Sequence, residues 1–143
     1  MKDNGKILVA YDGSVEAQKA VREAVTLSKK FNASITLLHV YWDPEFSEAE
    51  EKSGSFENIP IMNEGRLKVL SDIEPFLKDS GVEYLLRSEN HPHAAKTILR
   101  IAQEDNFDLI TIGNRGLGGA RSWILGSVSN EVVANAHCPV LVT

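Results

Sequence analysis

The residues best suited to chemistry in this sequence are glycines. Gly113-Asn114-Arg115-Gly116 is followed, after nine residues, by Gly126-Ser127-Val128-Ser129-Asn130. The segment comes after an apolar run, Leu109-Ile110-Thr111-Ile112, that reads as a buried strand, and before a short helical pattern. A strand opening through glycines into a helix N-terminus suits an anion, above all phosphate. Main-chain N–H groups converge on the ligand, and the helix dipole adds partial positive charge. Gly113, Gly116 and Gly126 lack the Cβ that would block a close approach of the backbone. Val128 and Ser129 fall in the first helical turn, where N–H groups have no intrahelical acceptor. Ser127 is a good N-cap by itself, so its hydroxyl serves either the helix or a ligand. Arg115 and Arg121 either pair with phosphate oxygens or are solvated.

A second constellation, Asp12-Gly13-Ser14, follows the apolar stretch Ile7-Leu8-Val9-Ala10. Asp12 either braces that turn or offers a carboxylate to ribose hydroxyls or to a divalent ion beside phosphate. His91 and His93 flank Pro92 with no third ligand in view, so surface histidines are a better reading than a metal pair. His39, among apolar neighbours, reads as a structural histidine, and Cys138 before Pro139 as a buried, inert thiol. Enzyme signatures are missing. There is no Gly-x-x-x-x-Gly-Lys-Ser/Thr loop, no Gly-x-Ser-x-Gly elbow and no Ser/His/Asp set. The run Gly116-Leu117-Gly118-Gly119 does not fit the dinucleotide fingerprint.

Five apolar runs must position these residues: 6–12, 34–41, 82–88, 108–113 and 139–143. Helical periodicity separates them. Ala17, Ala20, Val21, Ala24, Val25 and Phe31 mark a first helix, with Ser14 as N-cap and Glu16 in its first turn. Leu67, Leu70, Ile73 and Leu77 mark a second, which Pro75 should kink or end locally before Gly81 closes it. Ala94, Ala95, Ile98, Ile101 and Ala102 mark a third, and Val128, Val132, Val133 and Ala136 a fourth. Strands alternating with helices predict one doubly wound α/β domain over 1–143, with a parallel five-stranded sheet and right-handed crossovers. Residues 42–60 form an irregular acidic connection that reads as a solvated loop or as a lid. Trp123 is either a loop anchor or a contact for a partner.

The totals narrow the function. At 143 residues the chain fits one domain with a proper core. No apolar run approaches the ~18 residues that a membrane span needs. A single cysteine and the lack of a signal-peptide core are expected of a cytoplasmic protein. The net charge of −5 argues against nonspecific binding to nucleic acid. It is uneven: from Gly113 onward two arginines face one acid, +1, so the first 112 residues carry −6. The glycine segment is the least anionic part of the chain.

The spacing Gly, two residues, Gly, nine residues, Gly, Ser resembles the nucleotide-binding signature of the universal stress protein family. The resemblance extends to Ile7-Leu8-Val9-Ala10-Tyr11-Asp12-Gly13-Ser14, Thr36-Leu37-Leu38-His39-Val40, Asp108-Leu109-Ile110 and Ala136-His137-Cys138-Pro139-Val140-Leu141-Val142. It implies a Rossmann-like sheet of order 3-2-1-4-5, whose reversal between strands one and four opens a ligand crevice. It implies a bound adenine nucleotide, ATP or else ADP, AMP or a cyclic nucleotide, with Mg²⁺ or Mn²⁺ as a companion. Asp12, Val40, Gly113, Arg115, Gly116, Gly126, Ser127, Val128 and Ser129 would hold it, Val40 through its main chain at the adenine edge. The resemblance also implies a homodimer through strand 139–143 and an unidentified protein partner. The sequence departs from the family before the third helix, where Pro92-His93-Ala94 replaces the usual Gly-x-Pro. Three functions follow: an ATP-binding regulatory protein with little or no ATPase activity, a slow ATP hydrolase, or a nucleotide-independent dimeric scaffold.

Overall fold

The computed structural model describes residues 1–45, 64–115 and 125–143. Five strands, β1 (Lys6–Ala10), β2 (Ser34–Tyr41), β3 (Tyr84–Asn90), β4 (Leu109–Ile112) and β5 (Val140–Val142), alternate with α1 (Val15–Phe31), α2 (Glu64–Ser80), α3 (Ala94–Glu104) and α4 (Ser127–Asn135). The sheet is wholly parallel, in the order β3-β2-β1-β4-β5. This is the doubly wound architecture that alternating elements demand, in the order that the family resemblance implies.

Each face of the sheet buries its own layer. Ile7, Val9, Ile35, Leu37 and Leu86 pack under α1 and α2 with Ala17, Val21, Leu70 and Leu77. Leu8, Leu38, Ile110 and Ile112 pack under α3 and α4 with Ile98, Ile101 and Val132. Central β1 is covered on both faces, which explains its unbroken apolar run. The α1 start is as expected: Ser14 Oγ accepts from the Ala17 N–H at 3.1 Å.

Three expectations need correction. Pro75 does not end α2, which runs on to Ser80. Pro75 and Ser71, the residue whose carbonyl loses its helical donor, are both exposed, so water can satisfy that carbonyl. β3 begins two residues later than expected and ends at Asn90, because Gly81 takes a left-handed φ of 74° and the turn extends past it. In α4, Ser129 and Val132 face inward, whereas Val128 and Val133 are exposed. Most of the acidic connection, with Glu48, Glu50 and Glu51, lies outside the described residues, as do Gly116, Arg121 and Trp123.

The departure of the chain from β2 is fixed. Asn90, buried at the end of β3, takes the Asp43 N–H on Oδ1 and gives Nδ2–H to the Asp43 carbonyl, both at 2.8 Å. The side-chain amide thereby extends the β2–β3 pairing by one step, beside the His91 N–H bond to the Tyr41 carbonyl.

Candidate functional site

The winding of the sheet reverses between β1 and β4, paired with Ala10 opposite Ile112. Their carboxyl ends open into the two turns singled out in the sequence. On the β1 side, Asp12 Oδ1 accepts the Ser14 N–H at 2.9 Å and braces the turn, where Gly13 takes a φ of 88°. That commits one carboxylate oxygen; the other has no hydrogen bond among the described residues. Val40 is the penultimate residue of the neighbouring strand β2, half-buried against the α3–α4 layer.

On the β4 side the glycines do different work. A Cβ on Gly113 would lie 2.8 Å from the carbonyl carbon of Glu16 and 2.9 Å from the Ala17 nitrogen. Gly113 is therefore small because the end of β4 packs directly on the first turn of α1. A Cβ on Gly126 would lie 3.1 Å from the Asn114 carbonyl oxygen and 3.3 Å from Arg115 Cα. Gly126 lets the loop root lie against the start of α4, and its N–H donates to the Asn114 carbonyl at 2.8 Å. The same carbonyl accepts from the buried Ser129 hydroxyl at 2.6 Å. Ser129 thus holds the loop with its side chain and leaves its N–H, like those of Ser127 and Val128, in the unpaired first turn of the helix.

The N-cap of α4 is Gly126, with no side-chain cap, and Ser127 is the first helical residue, exposed. The choice between helix cap and ligand for the Ser127 hydroxyl therefore falls away on the helix side. Arg115 lies across this helix start, its Cγ 3.4 Å from where a Gly126 Cβ would be. Its Nε and Nη1 are buried and have no hydrogen-bond partner among the described residues. The residue as a whole is half-buried, but a buried N–H without an acceptor is costly, because the water it gives up is not replaced. The pattern, an uncapped helix N-terminus beside an unsatisfied guanidinium, is the electrostatic complement of an anion.

The structure thus brings Arg115 against Gly126, ties Gly126 and Ser129 to the Asn114 carbonyl, and sets Ser127 and Val128 in the same turn. Asp12 and Val40 stand at adjacent strand ends, and Gly113 serves the scaffold. Sequence reasoning missed Asn114, whose main chain links β4 to α4, and Thr143, which has no motif to mark it. His39 is structural as expected, its Nδ1 2.9 Å from the Tyr11 carbonyl oxygen. Cys138 is half-buried and not buried as expected, and desolvation pushes its thiol up. No cluster of three or more metal-ligating side chains occurs among the described residues. No helix among them is long and apolar enough to cross a membrane.

Comparison with known proteins places this geometry. The family model for the universal stress protein family matches residues 4–143. Universal stress protein YxiE of Bacillus subtilis is 34% identical over 150 residues, covering 96% of this chain and 97% of the relative. The solved structure of protein MJ0577 superposes with a TM-score of 0.74 at 27% identity, covering 98% of this chain and 95% of that one. A universal stress protein in complex with cAMP gives a TM-score of 0.73 at 21% identity, covering 99% and 98%. The match of sequence over nearly the whole chain, and of strand order with it, shows that this chain belongs to the universal stress protein family.

Proposed function

We propose that the chain binds an adenine nucleotide, with ATP as the principal ligand, in the crevice between β1 and β4, and that it acts as a regulatory protein with little or no ATPase activity. The observation that carries this reading is Arg115, with two buried guanidinium nitrogens that lack acceptors beside an uncapped helix start. Phosphate supplies those acceptors and also meets the N–H groups of Ser127, Val128 and Ser129. Gly116 belongs to the same loop in this reading. The second Asp12 oxygen takes the ribose hydroxyls, and the Val40 main chain takes the adenine edge. A relative of the same fold in complex with cAMP lends support to the adenine preference. Mg²⁺ or Mn²⁺ would enter with the phosphates, whose oxygens and Asp12 can share it. Phosphoryl transfer needs a positioned water, and the polar groups at the helix start, Ser127, Ser129 and Asn130, are weak bases.

Calorimetric titration with ATP tests the proposal. The parent chain should bind one equivalent. Arg115→Met should lower affinity by at least about tenfold, since a charge-assisted hydrogen bond carries ~1.5–3 kcal/mol. Gly126→Val should abolish binding by driving the loop root off the helix. No binding by the parent, or unchanged affinity in a folded Arg115→Met, would refute the reading. Phosphate release with Mg²⁺ should run orders of magnitude below the ~10 per second common among enzymes. A nucleotide-independent scaffold gains one observation, the purely structural packing of Gly113, and the same titration separates the two. The functional unit proposed is a homodimer through the free edge of β5.

A further inference from the structure

Thr143 is 127 residues from Glu16 in sequence, yet its Oγ1 donates to the Glu16 carbonyl at 2.8 Å. Glu16 belongs to the first turn of α1, the same turn on which Gly113 packs without room for a Cβ. The Thr143 N–H donates to the Ile112 carbonyl at 3.0 Å, and its main-chain oxygen accepts from the Asn114 N–H at 2.7 Å. Asn114 passes the constraint onward, since its carbonyl accepts from the Gly126 N–H and the Ser129 hydroxyl. Residues 112–114 are thus gripped by Thr143 on the β5 side, by α1 on one face and by the start of α4 beyond. Arg115, with its unsatisfied guanidinium, is the next residue along.

We infer that Thr143 is a positioning residue for the phosphate half of the site: its hydroxyl, anchored on Glu16, fixes the loop root from which Arg115 meets a nucleotide phosphate. The inference rests on the nucleotide-binding reading. Its physical basis is preorganisation. A loop held in its binding geometry before the ligand arrives loses less freedom on association, and small displacements of charged donors weaken a phosphate contact steeply. Main-chain bonds alone tie Thr143 to β4 and the loop root. The hydroxyl is what ties it to a helix.

Thr143→Val keeps shape and removes only that hydroxyl, and Thr143→Ser keeps the hydroxyl. ATP affinity is read by calorimetry, and adenosine affinity by displacement of a fluorescent ATP analogue, in parent, Val and Ser chains. The expected result is a loss of about three- to tenfold for ATP in Thr143→Val, the fold-change that one neutral hydrogen bond carries. Adenosine, which has no phosphate, should bind Val and parent alike, and Thr143→Ser should recover ATP affinity to near the parent. Equal losses for ATP and adenosine would mean a merely structural hydroxyl and overturn the inference. So would an unchanged ATP affinity in Thr143→Val, or a loss that Thr143→Ser does not repair. A parent that binds no ATP fails the nucleotide reading itself and this inference with it.

Discussion

Asp108 shows how one carboxylate can hold the end of the sheet opposite the candidate site. Its Oδ2 accepts the Lys6 N–H at 2.8 Å, and Oδ1 pairs with Lys2 Nζ at 3.1 Å. Desolvation pushes this carboxyl upward, but the Lys6 N–H and the Lys2 ammonium outweigh it and hold it below its ordinary 3.8. A carboxylate with a depressed folded value contributes stability above its unfolded value and loses it as pH falls through the folded one. Asp108→Asn should therefore cost about 1 kcal/mol at pH 7, measured by urea unfolding. The gap between parent and variant should shrink as pH drops below 3.8. A gap that is constant with pH would show that charge plays no part. The sequence offers Asp108 only as the first residue of the run 108–113. Neither Lys2 nor Lys6 is near it in sequence, so the role is visible only once β1 and β4 lie side by side.

The elements were legible to different degrees for a common reason. β2 matches its expected span because it is paired on both sides, with β1 and β3, and none of its residues is exposed, so its apolar run and its pairing agree. β3 is an edge strand in which Leu85 is exposed and Arg87 pairs with Glu89 and Asp105, so apolar character no longer marks its limits. The start of α4 was misread by one residue because a serine is a good cap in isolation, while the turn here needs the close approach that only Gly126 permits. The glycine motif was legible; the grip of Thr143 and Glu16 on the loop root was not, since it depends on packing between segments far apart in sequence. Helix α2 offers a direct test of local against tertiary effects. Pro75 is exposed inside it and withholds a donor from the Ser71 carbonyl. Pro75→Ala should stabilise the chain by about 1–3 kcal/mol, within the helix-interior cost of proline. Equilibrium unfolding that shows no gain would mean that α2 has already adapted to the ring.

Across the molecule, the sheet ends on one side in β5, a short edge strand. In β5, the Pro139 carbonyl and the Thr143 N–H bond inward to β4, so by alternation Val140 and Val142 turn their N–H groups outward. Pairing of that edge with a second copy about a two-fold axis gives a closed dimer. Val142→Pro removes an outward donor without touching the β4 ladder. It should shift the mass in sedimentation from dimer to monomer at micromolar concentration, and a parent that is already monomeric would exclude the dimer. The opposite end of the fold is built under another constraint. Three returns from helix to sheet each turn on one left-handed residue: Asn32 at φ 52° after α1, Gly81 at 74° after α2 and Asn106 at 54° after α3. Such joins have no slack, because β-branched residues strain there and an added residue would slip the following strand in register. A reporter domain or affinity tag spliced into this amino-terminal baseplate would unseat the sheet. One spliced in after Glu45, beyond the Asn90 clamp, would leave every strand where it is.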